Sequence, residues 1–444
     1  MAKNNPYRED AYEYWRTRIL YSTMLGYIFF YFIRKNISMA MPLIEEDLGI
    51  GKVELGLFLT AHGLLYGVSR FVHGIIADRV NPRWFMAAGL FLCAVANFGF
   101  GMSSTVWFMG IFWIANGWFQ GMGFPPCAKS LSHWFAAEER GVKFSIWNTS
   151  HSIGAGLIFL VNAAVIAMWH DWRFCFFVPA ALAVLGAFLL YERLRDTPES
   201  MGFDPVEEYH AKKVGRPDTI EEVVAAVEDD EQTEHSLAKT LVKHVYSNPI
   251  IWIISFANFF VYIVRFSILD WAPTFLKQAK GIDIAHAGIV SSCYELVGIF
   301  GMLASGFLMD KIFRGRGAKV CMLYMLGCTI TMGLFWWIDS SSLMVNALFL
   351  AVLGFFIYGP QCLIGVIAAN VATKKAAAAA NGLTGIFGYA SVIVTGWGVG
   401  YVASYYDWNA VFLCLIGASF MAVLMFLFVL NAAAPEQIAA ERKS

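Results

Sequence analysis

The sequence predicts an all-α membrane protein of twelve transmembrane helices, arranged as two pseudo-symmetric six-helix halves. Three observations carry that expectation: an apolar composition, a succession of twelve apolar segments, and a repeat that relates the second six to the first. Hydrophobic residues fill 58% of the 444 positions and charged residues only 15%, against roughly 25% charged in a soluble domain, too few to coat a soluble globule. Aromatic residues reach 16%, which suits rings at the lipid headgroups and around a buried site. A net charge of -1 gives no basic excess for nucleic acid.

The apolar segments long enough to cross a hydrocarbon core of about 30 Å fall near 19–43, 54–76, 84–103, 106–132, 142–168 and 173–192, then near 248–276, 285–309, 318–338, 342–372, 376–403 and 408–431. Between the sixes, residues 194–246 carry VEDDEQTEH at their centre and no spanning apolar run. This stretch reads as a solvated linker between an N-terminal half at 1–193 and a C-terminal half at 247–444. The start, MAKNNPYREDAYEYWRTR, lacks the apolar core and cleavage site of a signal peptide, so the first span is expected to be retained. Cys93, Cys127, Cys175, Cys293, Cys321, Cys328, Cys362 and Cys414 lie in or beside apolar runs without C-x-x-C spacing, which predicts free thiols and no metal site.

Orientation follows from the short loops. Those after even-numbered spans hold Arg79, Arg83, Arg140, Lys143, Lys311, Arg314, Arg316, Lys319, Lys374 and Lys375, and those after odd-numbered spans only Lys52, Arg173, Lys277 and Lys280. The excess places the even loops, the linker and both termini in the cytoplasm. A multi-pass protein of the cell inner membrane is expected.

The halves repeat. Phe29-x-Tyr31-x-x-Arg34 matches Phe260-x-Tyr262-x-x-Arg265 at an offset of 231, and Gly74-x-x-x-Asp78-Arg79 matches Gly306-x-x-x-Asp310-Lys311 at 232. Asp171-Trp172 with Phe176 matches Asp407-Trp408 with Phe412 at 236. Two six-span halves, each with a G-x-x-x-D-[RK] loop after its second span, resemble the major facilitator superfamily. In that loop Gly permits close helix approach and the acid–base pair can latch neighbouring helix ends, so Gly74, Asp78, Arg79, Gly306, Asp310 and Lys311 form an expected cytoplasmic gate.

Polar groups at membrane depth point to function, because each costs at least about 2.5 kcal/mol at a helix centre. Arg34 and Arg265 hold equivalent places in the two halves, so pseudo-symmetry predicts opposite walls of one cavity. Paired guanidiniums make an anion site: the planar fork donates charge-assisted bonds to phosphate or carboxylate and stays ionised. Phosphate, with about -1.5 to -2 charges at pH 7, matches the pair better than a monocarboxylate. The competing reading is internal neutralisation by Asp270 or Glu295; Lys35, turned about 100° from Arg34 around the helix, is expected to pair with one of these across the halves and leave the arginines free. Tyr27, Tyr31 and Arg34 share a helical face, and Tyr262 precedes Arg265 by three. Tyr358 and Tyr389 are further candidates that also fit interfacial anchors. Arg70, four after Tyr66, is either a third cation of the cavity or a snorkelling one. His151, in WNTSH of span five, is either a titratable ligand or a packing histidine. His62, His73 and His133 form no metal pattern.

Longer motifs sharpen the reading. Y-x-x-R-K-N at 31–36, N-P-R at 81–83, GWFQGMGFPPCAKSLSHWF at 117–135, E-R-G at 139–141, WNTSH at 147–151, RDTPESMG at 195–202, FVYIVRFSILDWAPTFLK at 260–277, GFFIYGPQCLIG at 354–365 and GLTGIFGY at 382–389 resemble the organophosphate:phosphate antiporter family over nearly the whole chain. That family includes glycerol-3-phosphate, hexose-6-phosphate and phosphoglycerate carriers and a hexose-phosphate sensor. The resemblance implies that Arg34 and Arg265 bind the phosphoryl group, with Tyr31, Tyr262, Tyr358, Tyr389 and His151 around it. The span-two cation of the family is usually Lys and here is Arg70. The acid and base that hexose-phosphate exchangers carry after the span-eleven tyrosine are absent in ASVIVTGWG, whereas the N-terminal span and RLRD at 193–196 look most like the sensor branch. The expected function is therefore exchange of inorganic phosphate for an organic phosphate ester, glucose-6-phosphate or another hexose phosphate, or glycerol-3-phosphate. The alternative is a receptor of external hexose phosphate acting on a membrane kinase without net transport. A monomer without cofactor is expected. No nucleophile–base pair or metal constellation supports an enzyme, and G-x-x-x-x-G-K-[ST] is absent.

Overall fold

The computed structural model describes residues 6–214, 245–372 and 376–430. The centre of the expected linker, Lys374, Lys375 and both chain ends lie outside the described residues. Among the described residues all regular structure is helical. The first half comprises α1 (Pro6–Lys35), α2 (Ile37–Leu48), α3 (Lys52–Ala77), α4 (Pro82–Met102), α5 (Val106–Gln120), α6 (Phe124–Trp134), α7 (Ala137–Trp169) and α8 (Phe174–Arg193). After a short helix, α9 (Val206–Val214), the second half comprises α10 (Pro249–Lys280), α11 (Ile284–Phe307), α12 (Gly317–Trp337), α13 (Leu343–Val371), α14 (Ala377–Ala390), α15 (Val399–Tyr405) and α16 (Trp408–Phe428).

Among the described residues ten helices are long and apolar enough to cross a membrane. The two expected spans that fall short have physical reasons. Span one contains Tyr27, Tyr31, Arg34 and Lys35 and breaks at Asn36. Span four breaks between Gln120 and Phe124, where Gly121 and Gly123 precede Pro125 and Pro126, neither of which donates a backbone hydrogen bond. Span eleven is also interrupted, by a π-helical turn at Val394–Gly398. Large apolar side chains ring the outside, among them Phe71, Trp107, Phe188, Trp337 and Phe428, as a lipid-facing surface requires.

The internal repeat is also a repeat of packing. Spans three and six (α4 and α8) pack together as nine and twelve do (α12 and α16), and one against five (α1 and α7) is matched by seven against eleven (α10 and α14). Spans two and four (α3 and α5) are matched by eight and ten (α11 and α13). The two Asp-Trp pairs differ locally: Asp407 caps the last helix of its half by accepting from the Ala410 amide at 2.7 Å, whereas Asp171 accepts from the Arg173 amide at 2.9 Å in the turn before its helix. The Ala410 amide and the Asn409 side chain hold the Asp407 carboxyl below its usual range.

The halves meet through α7 on α11, α2 on α10, and α3 on the π turn and α15. These contacts concentrate at the end that carries the odd-numbered loops. There Lys277 of α10 pairs with Glu46 at 2.5 Å and Gln278 donates to Glu45 at 2.7 Å. Gly56 of α3 lies so close to Gly396 that a Cβ would stand 2.5 Å from the Gly396 carbonyl oxygen. Thr60 Oγ1 donates to the Val392 carbonyl, just before the π turn, at 3.1 Å and accepts from the Trp397 amide within it at 2.9 Å. At the even-loop end, a Cβ at Gly74 or Gly306 would meet nothing within 4 Å. Among the described residues Asp78, Arg79, Asp310 and Lys311 form no ion pair. The close approach expected of these glycines is therefore not made in this state, which is closed at the odd-loop end and parted at the other.

Of the linker, residues 194–214 are docked on the first half rather than free in solvent. Tyr209 stacks on Tyr12 at 4.0 Å and donates to Glu13 at 3.0 Å, and Trp134 Nε1 donates to the Asp196 carbonyl at 3.0 Å. The cysteines are free, with Cys414 exposed on the outer face of α16.

Gly396→Val would drive a branched side chain into the backbone of α3. Overpacking of about 1–3 kcal/mol should move the equilibrium away from the closed odd-loop end roughly tenfold. Distances between spin labels on the 49–51 and 281–283 loops should lengthen; an unchanged distribution would show that this crossing does not hold the end shut.

Candidate phosphate site

The centre of the molecule gathers the charged residues that the sequence places at membrane depth. Arg34 and Arg265 are 9% and 4% exposed, and among the described residues neither forms an ion pair. Rings surround them instead. The Arg34 guanidinium lies 4.0 Å from the Tyr66 ring centre and 5.5 Å from that of Tyr31. The Arg265 guanidinium lies 5.0 Å from Tyr358, 5.1 Å from Phe266 and 5.5 Å from Tyr262. Cation–ring contacts hold a guanidinium in place without neutralising it. Arg265 Nε has no hydrogen-bond partner, so part of its fork is uncommitted.

The two arginines are linked through His151 of α7. Its ring is 5.9 Å from Tyr31 and 6.1 Å from Tyr358, so the sequence Arg34, Tyr31, His151, Tyr358, Arg265 crosses from one half to the other without a gap. His151 Nδ1 contacts the Asn148 carbonyl, which assigns the ring proton to Nδ1 in the neutral form. Nε2 is buried with no partner. In the neutral form this nitrogen is a free hydrogen-bond acceptor.

The interdomain brace resolves to one pair. Lys35 Nζ lies 2.5 Å from Asp270 Oδ1, with both side chains buried. Glu295, expected as an alternative partner, is fully buried and accepts instead from the Tyr358 hydroxyl, leaving Oε2 unpartnered. Both members of that bond belong to the second half, so Glu295 does not bridge the halves in this state. Arg70 does not snorkel. Its guanidinium sits 3.7 Å from the Phe124 ring centre and donates to Tyr389 of the second half at 3.2 Å. Tyr389 in turn packs against Tyr66 at 5.6 Å, so the ring that Arg70 bonds touches the ring over which Arg34 lies. Tyr27 stands behind Tyr31 at 5.5 Å and against Trp147 at 4.7 Å. Tyr358 and Tyr389 are therefore neither interfacial anchors nor free phenols.

Four cations, Arg34, Lys35, Arg70 and Arg265, share this region with two carboxylates. Even with Asp270 and Glu295 both ionised, the balance is two positive charges in excess, which suits a dianion. Tyr66, Phe124 and Trp147 contribute contacts that the charge pattern did not single out. Neither did it single out a set of buried amides, Asn36, Asn97, Asn116, Gln120 and Asn162. Asn and Gln inside apolar spans are the signal that finds them, on the same insertion-cost argument that found the arginines.

Comparison with known proteins agrees with this architecture. The family model described as Major Facilitator Superfamily matches residues 23–396. A probable hexose phosphate transport protein of Chlamydia trachomatis is 39% identical, with 96% of this chain and 93% of that protein covered. The glycerol-3-phosphate transporter of Bacillus subtilis is 39% identical over 95% of this chain and 94% of that protein, and the membrane sensor protein UhpC of Escherichia coli is 35% identical over 97% and 96%. The nucleoside transporter NupG superimposes with a TM-score of 0.69 at 15% identity, covering 93% of this chain and 99% of that one, and a D-xylose-proton symporter with 0.67 at 16%, covering 95% and 98%. These two likenesses concern the fold alone. The chain is thus a multi-pass, non-enzymatic membrane protein of the major facilitator superfamily, and within it belongs to the organophosphate:phosphate antiporter family.

Proposed function

We propose that this chain exchanges inorganic phosphate for an organic phosphate ester across the cell inner membrane by alternating access, with glucose-6-phosphate or another hexose phosphate, or glycerol-3-phosphate, as the ester. The observation that carries the reading is the pair of buried guanidiniums, one from each half, with no carboxylate in ion-pair reach among the described residues. The relatives named for hexose phosphate and glycerol-3-phosphate transport support the ester class.

In this reading Arg34 and Arg265 clamp the phosphoryl oxygens. Tyr31, Tyr262 and Tyr27 shape the pocket around them, and His151 Nε2 meets a hydroxyl or a phosphoryl oxygen. Arg70 and Tyr389 close the even-loop side, and Tyr358 transmits between Arg265 and Glu295. Occluding an empty site would bury two unpaired charges, at several kcal/mol for each ion. Bound phosphate removes that penalty, so the halves reorient when loaded and the net event is exchange. Residues 1–193 and 247–444 act as the two moving bodies joined by 194–246, in a monomer with both termini cytoplasmic. Gly74-x-x-x-Asp78-Arg79 and Gly306-x-x-x-Asp310-Lys311 then meet when the even-loop end closes. The UhpC relatives support a second reading, a hexose-phosphate receptor that signals to a membrane kinase. Identity to relatives named for transport runs from 31% to 40% and brackets the 35% and 36% to the sensors, so counterflow is the measurement that separates the two readings.

Proteoliposomes preloaded with inorganic phosphate should take up labelled glucose-6-phosphate or glycerol-3-phosphate in exchange for it. Retained binding with no counterflow of any phosphate ester would establish the receptor instead. Arg265→Lys keeps the charge but loses the fork. Losing one charge-assisted bond, about 1.5–3 kcal/mol, should weaken phosphate binding by roughly ten- to a hundredfold, and wild-type affinity would exclude bidentate recognition. Lys35→Ala leaves Asp270 buried and unpaired, at about 3–5 kcal/mol. Exchange should fall and recover in part in Lys35→Ala/Asp270→Ala; faster exchange by folded Lys35→Ala would remove the brace from the mechanism.

A further inference from the structure

Span one is not a single helix. α1 stops at Lys35, α2 begins at Ile37, and Asn36 lies between them. Asn36 keeps helical backbone angles, φ -61° and ψ -32°, so the interruption is local, and a carbonyl that loses its intrahelical donor there is expensive in a membrane interior. The break falls beside the Arg34-Lys35 pair, where a misplaced backbone would misplace the charge that receives the ligand.

The first half supplies amides to this segment. The carbonyl of Ile33, the peptide immediately before Arg34, accepts from Asn97 Nδ2 of α4 at 2.9 Å and from Asn116 Nδ2 of α5 at 2.8 Å. Gln120 Nε2 donates to the Phe30 carbonyl at 3.0 Å and Asn162 Nδ2 of α7 to the Asn36 carbonyl at 3.2 Å. Asn36 Nδ2 itself donates to Asn97 Oδ1 at 2.8 Å and to the Cys175 carbonyl at 3.0 Å. All five amides are between 0% and 3% exposed, so none offers a surface to solvent or lipid. Asn116 Oδ1 and Asn162 Oδ1 have no partner at all. An apolar residue would fill either place without an idle polar atom; what the amide adds is its donated bond to the main chain of span one.

The second half lacks this arrangement. Arg265 sits within the unbroken helix Pro249–Lys280, and its own carbonyl accepts from the Tyr294 hydroxyl at 3.3 Å. The pseudo-symmetry that places the two arginines therefore does not extend to what holds them.

We propose that Asn97 and Asn116 are positioning residues for phosphate recognition: by holding the Ile33 carbonyl from two helices, they fix the helix phase from which Arg34 presents its guanidinium. The proposal rests on the reading of Arg34 as a phosphate ligand. A planar fork forms two bonds to one phosphoryl group only when its plane and reach are set in advance. Asn97 also braces Asn36, whereas the side chain of Asn116 makes the Ile33 bond and no other, so Asn116 is the cleaner probe.

The test is binding of inorganic phosphate to the purified full-length protein, with thermal unfolding followed in parallel. Asn116→Leu should weaken phosphate binding roughly tenfold. Placed on Arg34→Lys it should add little, because the geometry it protects is already lost, and placed on Arg265→Lys it should add its full tenfold. Coupling of this kind separates action through Arg34 from general loosening of the half. Equal losses on both backgrounds, or unchanged phosphate affinity in Asn116→Leu, would overturn the proposal. If Asn116→Leu does not fold, Asn116→Ala is read in the same cycle. Arg34→Lys binding phosphate at wild-type affinity would instead remove the premise that Arg34 is a ligand, an outcome visible without any change at Asn116.

Discussion

Two buried guanidiniums without carboxylate partners set the terms for the rest of this molecule. A lone charge at membrane depth is tolerated only when something pairs with it, hydrates it or uses it. Arg34 and Arg265 have rings where partners would be, and the nearby acids are engaged elsewhere, Asp270 by Lys35 and Glu295 by Tyr358. The Lys35–Asp270 pair matters for this reason as much as for joining the halves. Without Lys35, Asp270 would be a buried anion beside two cations and would compete with any ligand for them. The site is kept available by neutralising the acid that would otherwise fill it.

That availability was largely legible in the sequence, because it depends on position along helices. The offset of 231 residues that relates Arg34 to Arg265 is a property of spacing, and spacing survives without coordinates. The same holds for Tyr31 and Tyr262, which stand on the faces of their arginines. What the sequence left open were choices among neighbours at similar range. Lys35 had two acids available on different helices, and only side-chain packing selects Asp270. Arg70 had enough stem either to snorkel or to turn inward, and the Phe124 ring 3.7 Å beneath its guanidinium selects inward. The breaks at Asn36 and after Gln120 were hidden because apolar runs give span length and carry little information on continuity.

The gate glycines show a different limit. Gly74 and Gly306 mark places where helices can approach, yet a sequence does not say in which state they do. The structure is closed at the opposite end, where Gly56 and Gly396 make the close crossing and Thr60 bonds the Trp397 amide of the π turn and the Val392 carbonyl just before it. A π turn is unfavourable in isolation and frequent at functional sites. Here it converts a helix surface into a hydrogen-bonding one at the seam between the halves. Any rocking of the halves that brought Gly74 and Gly306 against neighbouring helices would have to break the bonds at this seam, Lys277–Glu46 among them.

The two halves are alike in packing but unlike in how each holds its arginine, and alternating access gives that difference a physical role. A carrier must grip one anion from two bodies that rotate against each other, so at least one side of the grip has to follow the ligand through the motion. Arg34 is referenced to α4 and α5 by the shared Ile33 carbonyl and is therefore carried as part of the first half. Arg265 stands on a continuous helix whose carbonyl at that residue takes one bond, from Tyr294, and its side chain, with Nε uncommitted and Tyr358 shared with Glu295, is free to change its contacts. On the proposed reading of the two arginines as phosphate ligands, a fixed cation opposite an adjustable one would keep phosphate ligated while the distance between the halves changes, which two equally rigid arginines would not do.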